Sequence, residues 1–321
     1  MRWLDHRDPV QGPLRGAILA LGNFDGFHQG HQAVAGEAIR WAQDEGRPSI
    51  IATFDPHPVR FFKPDVPPFR LTTLEQRQEL YLAAGATAML VFHFDQELSS
   101  TSAEDFIAKI LIERLGAHGV VTGGDFSFGQ GAKGNAQLLR DYGGERGLAA
   151  RVVDAVEGAG PDGGRPDGGG IISSSRVRAA LSEGDPQLAA ALLTRPFAIR
   201  GIVEHGDKNG RQLGYPTANL SIESYQRPKY GVYAVTGTIL ATGETLKGAA
   251  NVGVRPNFDP PKEWLEPHFF DFARDLYGQE IEVAFHHYLR GEARFDSLDD
   301  LKAQMEKDCD LARKLLSASP S

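Results

Sequence analysis

Apolar residues in the first half of the chain fall in short unbroken runs. Ala17–Leu21, Ser49–Phe54, Ala88–Phe92 and Gly119–Thr122 each read as a strand buried on both faces. Between them the period lengthens. His31 to Glu45 carries Val34, Ala38, Trp41 and Ala42 at helical spacing, with Gly46 as its stop. Leu74 to Ala84 reads as a helix ending at Gly85. A third helix is capped by Ser102, with Asp105 where a capping box places its acid; it carries Phe106, Ile107, Ile110 and Leu111 and ends at Gly116. Strands alternating with helices from Ala17 to about Val156 predict a parallel sheet covered on both faces. The pattern changes at Arg195-Pro196. Phe197–Glu204, Tyr230–Thr238, Leu246–Val252, Glu266–Phe272 and Glu280–Leu289 are strand-like with no helix between them, which predicts an antiparallel sheet or small barrel. A closing helix begins at Ser297, with Asp300 as its capping acid and Leu301, Met305, Leu311 and Leu315 on one stripe. The predicted fold class is therefore α/β plus β, with domains at residues 1–184 and 185–321. Between the last parallel strand and the barrel, Glu157–Gly170 is rich in Gly, Pro and Asp and reads as a surface loop or a lid.

Composition adds exclusions. A chain of 321 residues is longer than one ordinary core organises, in keeping with two domains. A formal charge of −8 argues against a nucleic-acid partner, whose phosphates call for clustered Lys and Arg. No apolar run approaches the roughly 20 residues of a membrane helix, and the N-terminus lacks the apolar core of a signal peptide. Cys309 is the only cysteine, so neither an internal disulfide nor a Cys-based metal site is expected. These features together predict a cytoplasmic protein without a membrane partner; they say nothing of protein partners.

The chemistry concentrates at three stretches. Gly22-Asn23-Phe24-Asp25-Gly26-Phe27-His28-Gln29-Gly30-His31 lies where the first strand turns into a helix. Free amides at a helix start collect anions. His28 and His31, three apart on the first turn, add two donors aimed the same way, which suits a phosphate chain. Loops at Asp55-Pro56-His57-Pro58 and Gly123–Gly129 share that sheet edge, and Ser173-Ser174-Ser175-Arg176-Val177-Arg178 opens a later helix with hydroxyls and guanidinium groups. The second stretch runs from Gly206 to Asn219. Gly206, Gly210 and Gly214, flanking Lys208 and Arg211, can bring amides close to phosphates without forming a Walker A loop. Thr217 and Asn219 are one strand period apart and can offer oxygens to a metal from one side. In the third, Glu266–Gly278, Glu266 is a carboxylate in an apolar strand, suited to a general base or to a sheet edge.

Taken in order, Gly22–Gly26, His28-Gln29-Gly30-His31, Thr53–Pro58, Arg70–Thr73, Gly124–Gly129, Ser173–Arg178, Gly210-Arg211, Gly214–Asn219 and Asp275–Gly278 resemble the bifunctional riboflavin kinase/FAD synthetases of bacteria across almost the whole chain. The resemblance implies a Rossmann-like nucleotidyltransferase domain followed by a β-barrel kinase domain. It implies that riboflavin is phosphorylated by ATP to FMN, and that FMN is adenylylated to FAD with release of pyrophosphate. By position it implies ATP contacts from Gly22, Asn23, Phe24, Gly26, His28, His31, Ser174, Ser175 and Arg178 in the first site, and from Gly206, Gly210, Arg211 and Gly214 in the second. It places Phe62, Asp125 and Phe128 near the flavin, Mg²⁺ on Thr217 and Asn219, and Glu266 as the base acting on the ribityl hydroxyl. Ser175 stands where the family has Thr, keeping the hydroxyl, and Asp55 stands where Glu is common. Two other readings compete: a nucleotidyltransferase for another phosphorylated cofactor precursor, and a flavin-binding regulator without catalysis. The first leaves Pro216–Asn219 and Glu266 without a purpose. The second sits badly with the presence of His28, His31, Asn219 and Glu266. The remaining histidines, His93, His118, His286 and His287, read as structural, and His205 precedes the second stretch.

Overall fold

The computed structural model describes residues 2–158, 170–205, 215, 217–255 and 262–318. The chain divides into two compact units. So far as residues are described, the first comprises Met1–Pro67, Leu74–Ala159 and Asp167–Ile172, and the second Pro68–Thr73 and Ser173–Ser321.

The first unit is built on six parallel strands: β1 (Arg2–Asp5), β2 (Ile18–Leu21), β3 (Ser49–Asp55), β4 (Ala88–His93), β5 (Gly119–Gly123) and β6 (Ala149–Val153), in the order β1-β4-β3-β2-β5-β6. The predicted strands are its four central members and are buried almost throughout. The two edge strands, β1 and β6, carry no apolar run and are half exposed, so hydrophobic pattern did not mark them.

Alternate residues feed two cores. Leu19, Leu21, Ile50, Phe54, Leu90, Phe92 and Val120 pack on one face with Phe106, Ile107 and Leu111. Ile18, Ala20, Ile51, Met89, Val91 and Val121 pack on the other with Val34, Ala38, Trp41 and Tyr81. The latter four come from α1 (Gln29–Asp44) and α3 (Leu74–Ala83); α2 (Pro58–Phe62) lies between β3 and α3. Then α4 (Gln96–Ser100) precedes α5 (Ala103–Asp105), where Ser102 Oγ accepts from the Asp105 amide at 3.0 Å, as its capping box predicts. From Phe106 to Arg114 the helix widens to a π-helical winding, which an ordinary helical period does not anticipate.

In the second unit α6 (Ser174–Glu183) and α7 (Pro186–Leu193) precede an antiparallel sheet. Its strands are β7 (Phe197–Ile202), β8 (Leu220–Ser221), β9 (Gly231–Ile239), β10 (Glu244–Arg255), β11 (Lys262–Phe269) and β12 (Glu280–Arg290), in the order β7-β12-β9-β10-β11-β8. A bridge between Glu204 and Asn219 joins the segments beyond β7 and before β8, nearly closing a barrel. Ile199, Leu220, Val235, Val252, Leu265, Val283 and Phe285 are fully buried. The closing helix, α8 (Leu298–Ala318), lays Ala312 and Leu316 against Ala234, Ala249 and Phe270. Ser297 caps it, accepting from the Asp300 amide at 3.1 Å. The strand expected over Glu266–Phe272 is Lys262–Phe269 instead. Its first half is recruited by an eight-residue antiparallel register with β10, a cross-strand constraint that local sequence does not carry.

Candidate active sites

In the first unit, strand order reverses at β2 and β5, the position where open α/β sheets bind ligands beyond the carboxyl ends of their strands. The Gly22–His31 stretch emerges there from β2, and Gly123–Gly129 emerges from β5. Backbone φ is positive at Phe24 (48°), Gly26 (84°) and Phe27 (46°), so the chain turns sharply before α1 begins.

His28 is the N-cap of α1. Its Nδ1 accepts from the His31 amide at 3.3 Å. An accepting Nδ1 leaves the neutral ring's proton on Nε2, so His28 presents an N–H donor away from the helix. The two imidazoles stack with centroids 3.6 Å apart. Phe24 meets His31 edge-on at 5.2 Å, and His28 is buried. Gly30 is required by close packing: a Cβ there would lie 3.2 Å from His28 Cε1 and 3.3 Å from the Ile172 carbonyl oxygen. The segment leading into Ser173 therefore runs along the first turn of α1.

Ser173 proves to be the N-cap of α6, accepting from the Arg176 amide at 3.3 Å. Ser174 and Ser175 occupy its first two positions. Arg178, one turn on, donates from Nε to the Phe69 carbonyl at 2.8 Å, and its guanidinium lies over the Phe69 ring at 4.8 Å. Arg178 and Phe69 both belong to the second unit, whereas His28 and His31 belong to the first.

The residues expected near the flavin occupy an aromatic cluster at the carboxyl edge of the first sheet. Phe62 is 63% exposed and packs on Phe61 and Phe94 at 5.2 and 5.7 Å. Asp125 is exposed beyond β5. Phe128 is buried, stacked on Phe126 at 5.8 Å and packed on Phe106 at 5.2 Å, so its ring fills the core beneath that edge.

In the second unit, β8 pairs with β11 through Leu220–Leu265 and Ser221–Trp264. The Ala218 amide donates to the Pro267 carbonyl at 2.9 Å, continuing that register backwards. Asn219 thus stands opposite Glu266, and Thr217 opposite His268. Residues directly opposite share a face. On the other side of β11, Asn251 of β10 is also the partner of Glu266. Glu266 is therefore flanked by two carboxamides on one face of the barrel, with the Thr217 hydroxyl one strand period from Asn219. A cavity of about 650 Å³ lies beside the end of this strand pair, lined by Thr217, Ala218 and His268 and by the Asp271–Tyr277 loop, with Glu266, Asn219 and Asn251 outside its lining. Tyr215 packs on His268 at 5.2 Å, and desolvation pushes its hydroxyl pKa up, which keeps it a neutral donor. Gly206, Gly210, Arg211 and Gly214 lie outside the described residues, as does most of the Glu157–Gly170 segment. Sequence reasoning passed over Asn251. Its signal was present: a polar residue inside the apolar run Ala249-Ala250-Asn251-Val252, the same anomaly that singles out Glu266.

Two family models match, FAD synthetase over residues 11–162 and riboflavin kinase over residues 193–316. The chain is 39% identical over 303 residues to the bifunctional riboflavin kinase/FMN adenylyltransferase of Escherichia coli (strain K12), covering 93% of this chain and 92% of that protein. It is 40% identical over 308 residues to the protein of the same description from Pseudomonas fluorescens, covering 96% and 94%. Among solved structures, one described as a macrolide-efflux protein from Streptococcus pneumoniae superposes with a TM-score of 0.81 at 29% identity, over 97% of this chain and 98% of that one. Among the described residues, no helix is long and apolar enough to cross a membrane. With both family models matched in order and relatives aligned end to end, the chain belongs to the bifunctional riboflavin kinase/FMN adenylyltransferases.

Proposed function

We propose that this protein phosphorylates riboflavin with ATP to give FMN, and then transfers AMP from a second ATP onto FMN to give FAD and pyrophosphate. The observation that supports the reading is a pair of differently built polar clusters: the histidine turn at the switch point of a parallel sheet, and Glu266 between two carboxamides on a β-barrel. We assign the first reaction to residues 185–321 and the second to residues 1–184. A nucleotidyltransferase for another precursor leaves the riboflavin kinase match over residues 193–316 without a purpose.

In adenylyl transfer the attacking group is an oxygen of the FMN phosphate and the leaving group is pyrophosphate, so the protein supplies no nucleophile. Its work is alignment and neutralisation of charge as the bond from the α-phosphorus to the bridging oxygen breaks. The Nε2–H of His28 and the imidazole of His31 serve the ATP phosphates, with the backbone of Gly22, Asn23, Phe24 and Gly26 forming the turn beside them. Phe62 and Asp125 contact the flavin, and Phe128 supports that surface from beneath.

In the kinase reaction Glu266 accepts the proton of the ribityl hydroxyl as its oxygen attacks the γ-phosphorus of ATP, and ADP leaves. Asn219 and Asn251 flank the carboxylate from the neighbouring strands. Gly206, Gly210, Arg211 and Gly214 contact the ATP phosphates. Thr217 and Asn219 offer two neutral oxygens on one face. That donor set suits a hard cation such as Mg²⁺, whose other positions phosphate oxygens and water would fill. Bound there, Mg²⁺ would neutralise the charge that builds on the phosphates. A cytoplasmic location fits an enzyme that draws on ATP twice.

The test is direct. Riboflavin, ATP and Mg²⁺ incubated with the protein should give FMN first and FAD after it, resolved by chromatography. Absence of any flavin nucleotide would overturn the assignment.

A further inference from the structure

Beneath the Gly22–His31 turn lies a buried ion pair to which the mechanism above assigns no work. Arg77 of α3 and Asp25 of the turn are 3% and 2% exposed. Arg77 Nη2 donates to Asp25 Oδ1 at 3.0 Å. Its Nη1 donates to Thr53 Oγ1 at 3.0 Å and reaches the carbonyls of Asn23 and Phe54 at 3.5 Å each. The Thr53 hydroxyl in turn donates to the Asn23 carbonyl at 2.5 Å. One planar guanidinium thus gathers Asn23 and Asp25, at the start of the turn, with Thr53 and Phe54 near the end of β3.

Burying two charges is costly in desolvation, and apolar residues of similar volume serve stability as well or better. The pair's placement fits another task. Phe24 and Phe27 both hold positive φ, a conformation disfavoured for bulky side chains that persists only where its surroundings over-determine it. The restraint comes from α3. One turn beyond Arg77, Tyr81 packs on Phe24 at 6.3 Å and on Phe27 at 5.0 Å. Phe24 meets the ring of His31, and His31 stacks on His28. A continuous chain of contacts therefore runs from the guanidinium, through the strained turn, to the two imidazoles.

We infer that Arg77 is a positioning residue for adenylyl transfer: with Asp25 it clamps the turn so that His28 and His31 meet the ATP phosphates in register. The inference rests on the reading of that turn as the ATP site of FMN adenylylation. Lysine cannot replace arginine here, because a point charge on a flexible stem cannot hold Asp25, Thr53 and the Asn23 carbonyl together.

The experiment uses the full chain and measures both activities in Arg77→Lys, in the isosteric Asp25→Asn, and in each combined with His31→Ala. Misplacement of catalytic groups by an ångström costs about 100-fold, so each single variant should lower kcat for FAD formation from FMN by roughly 10- to 100-fold. KM for FMN and riboflavin kinase turnover should hold. In the His31→Ala background the same substitutions should add little, because the ring through which Phe24 reaches His28 is gone. Unchanged kcat in both single variants overturns the inference. So does a loss that multiplies in full on His31→Ala, which marks a route that does not pass through His31. Should Arg77→Lys unfold the first unit, Asp25→Asn decides alone, and unfolding of both assigns the pair to stability and overturns the positioning role. If His31→Ala itself leaves FAD formation intact, the reading of the turn as the ATP site fails instead, and the two failures are told apart.

Discussion

His28 and Glu266 reach opposite chemistry from similar beginnings, each a polar side chain set against an apolar strand. For His28 the decisive contact is its cap. By accepting from the His31 amide, Nδ1 commits the ring's proton to Nε2, and the imidazole becomes a donor with a fixed direction. For Glu266 the decisive neighbours are Asn251, its partner across β10, and Asn219, reached by extending the β8 register. On the proposed assignment His28 and Glu266 serve different reactions, so single substitutions should separate them. His28→Ala should lower FAD formation by roughly 10²- to 10³-fold, the scale of one lost charge-stabilising donor, while FMN formation continues. Glu266→Gln should lower riboflavin phosphorylation by roughly 10²- to 10⁴-fold, the scale of a lost general base, while added FMN is still converted to FAD. Initial rates of both steps in both variants check this, and a parallel loss of the two activities in either variant would contradict it.

Elements were legible from sequence where burial was symmetric and obscure where pairing decided. The four central strands of the first sheet announce themselves as apolar runs, and the caps at Ser102 and Ser297 stand where the capping acids put them. The edge strands β1 and β6 were silent because half-exposed strands need no apolar run. The start of β11 was missed because Lys262 and Glu263 are held by pairing with Arg255 and Val254 rather than by their own propensity. Arg77 was missed for a related reason. In Leu74–Ala83 charged and polar residues fall on every side, so nothing local marks the one guanidinium that turns inward. The Gly22–His31 turn and Glu266 stood out in the sequence by their polarity, whereas the contacts of Arg77 with Asp25 and Thr53 are defined only in the folded chain. The barrel shows how exacting such contacts are. Phe269 of β11 lies over Gly248, its register partner, and over Gly237 of β9; a Cβ at Gly237 would fall 2.2 Å from its ring. Gly237→Ala should destabilise the second unit by about 1–3 kcal/mol, the cost of overpacking. On a thermal ramp, riboflavin phosphorylation should then be lost at a lower temperature than in the unsubstituted protein, with adenylylation of added FMN outlasting it. Unshifted kinase inactivation would mean that the barrel accommodates the methyl group.

At the scale of the whole molecule, the product of one site is the substrate of the other, and both reactions consume ATP. On the proposed assignment, the phosphate that attacks at the His28–His31 turn is the one installed beside Glu266. The nucleotidyltransferase chemistry asks only for FMN presented with its phosphate in line with the α-phosphorus, and nothing in that requirement depends on which polypeptide made the FMN. An equimolar mixture of His28→Ala and Glu266→Gln should therefore make FAD from riboflavin far faster than either variant alone. The first supplies FMN to solution and the second adenylylates it. FMN should appear before FAD, and the lag should lengthen as the mixture is diluted, because transfer between chains depends on the concentration of free FMN. Accumulation of FMN without FAD, in a mixture whose Glu266→Gln component is shown to adenylylate added FMN at high concentration, would mean that FMN released by one chain does not reach the level the second site requires. The two sites would then work in sequence only when they share a polypeptide. FAD from the mixture at the rate given by the separately measured steps would instead make the covalent link dispensable for chemistry.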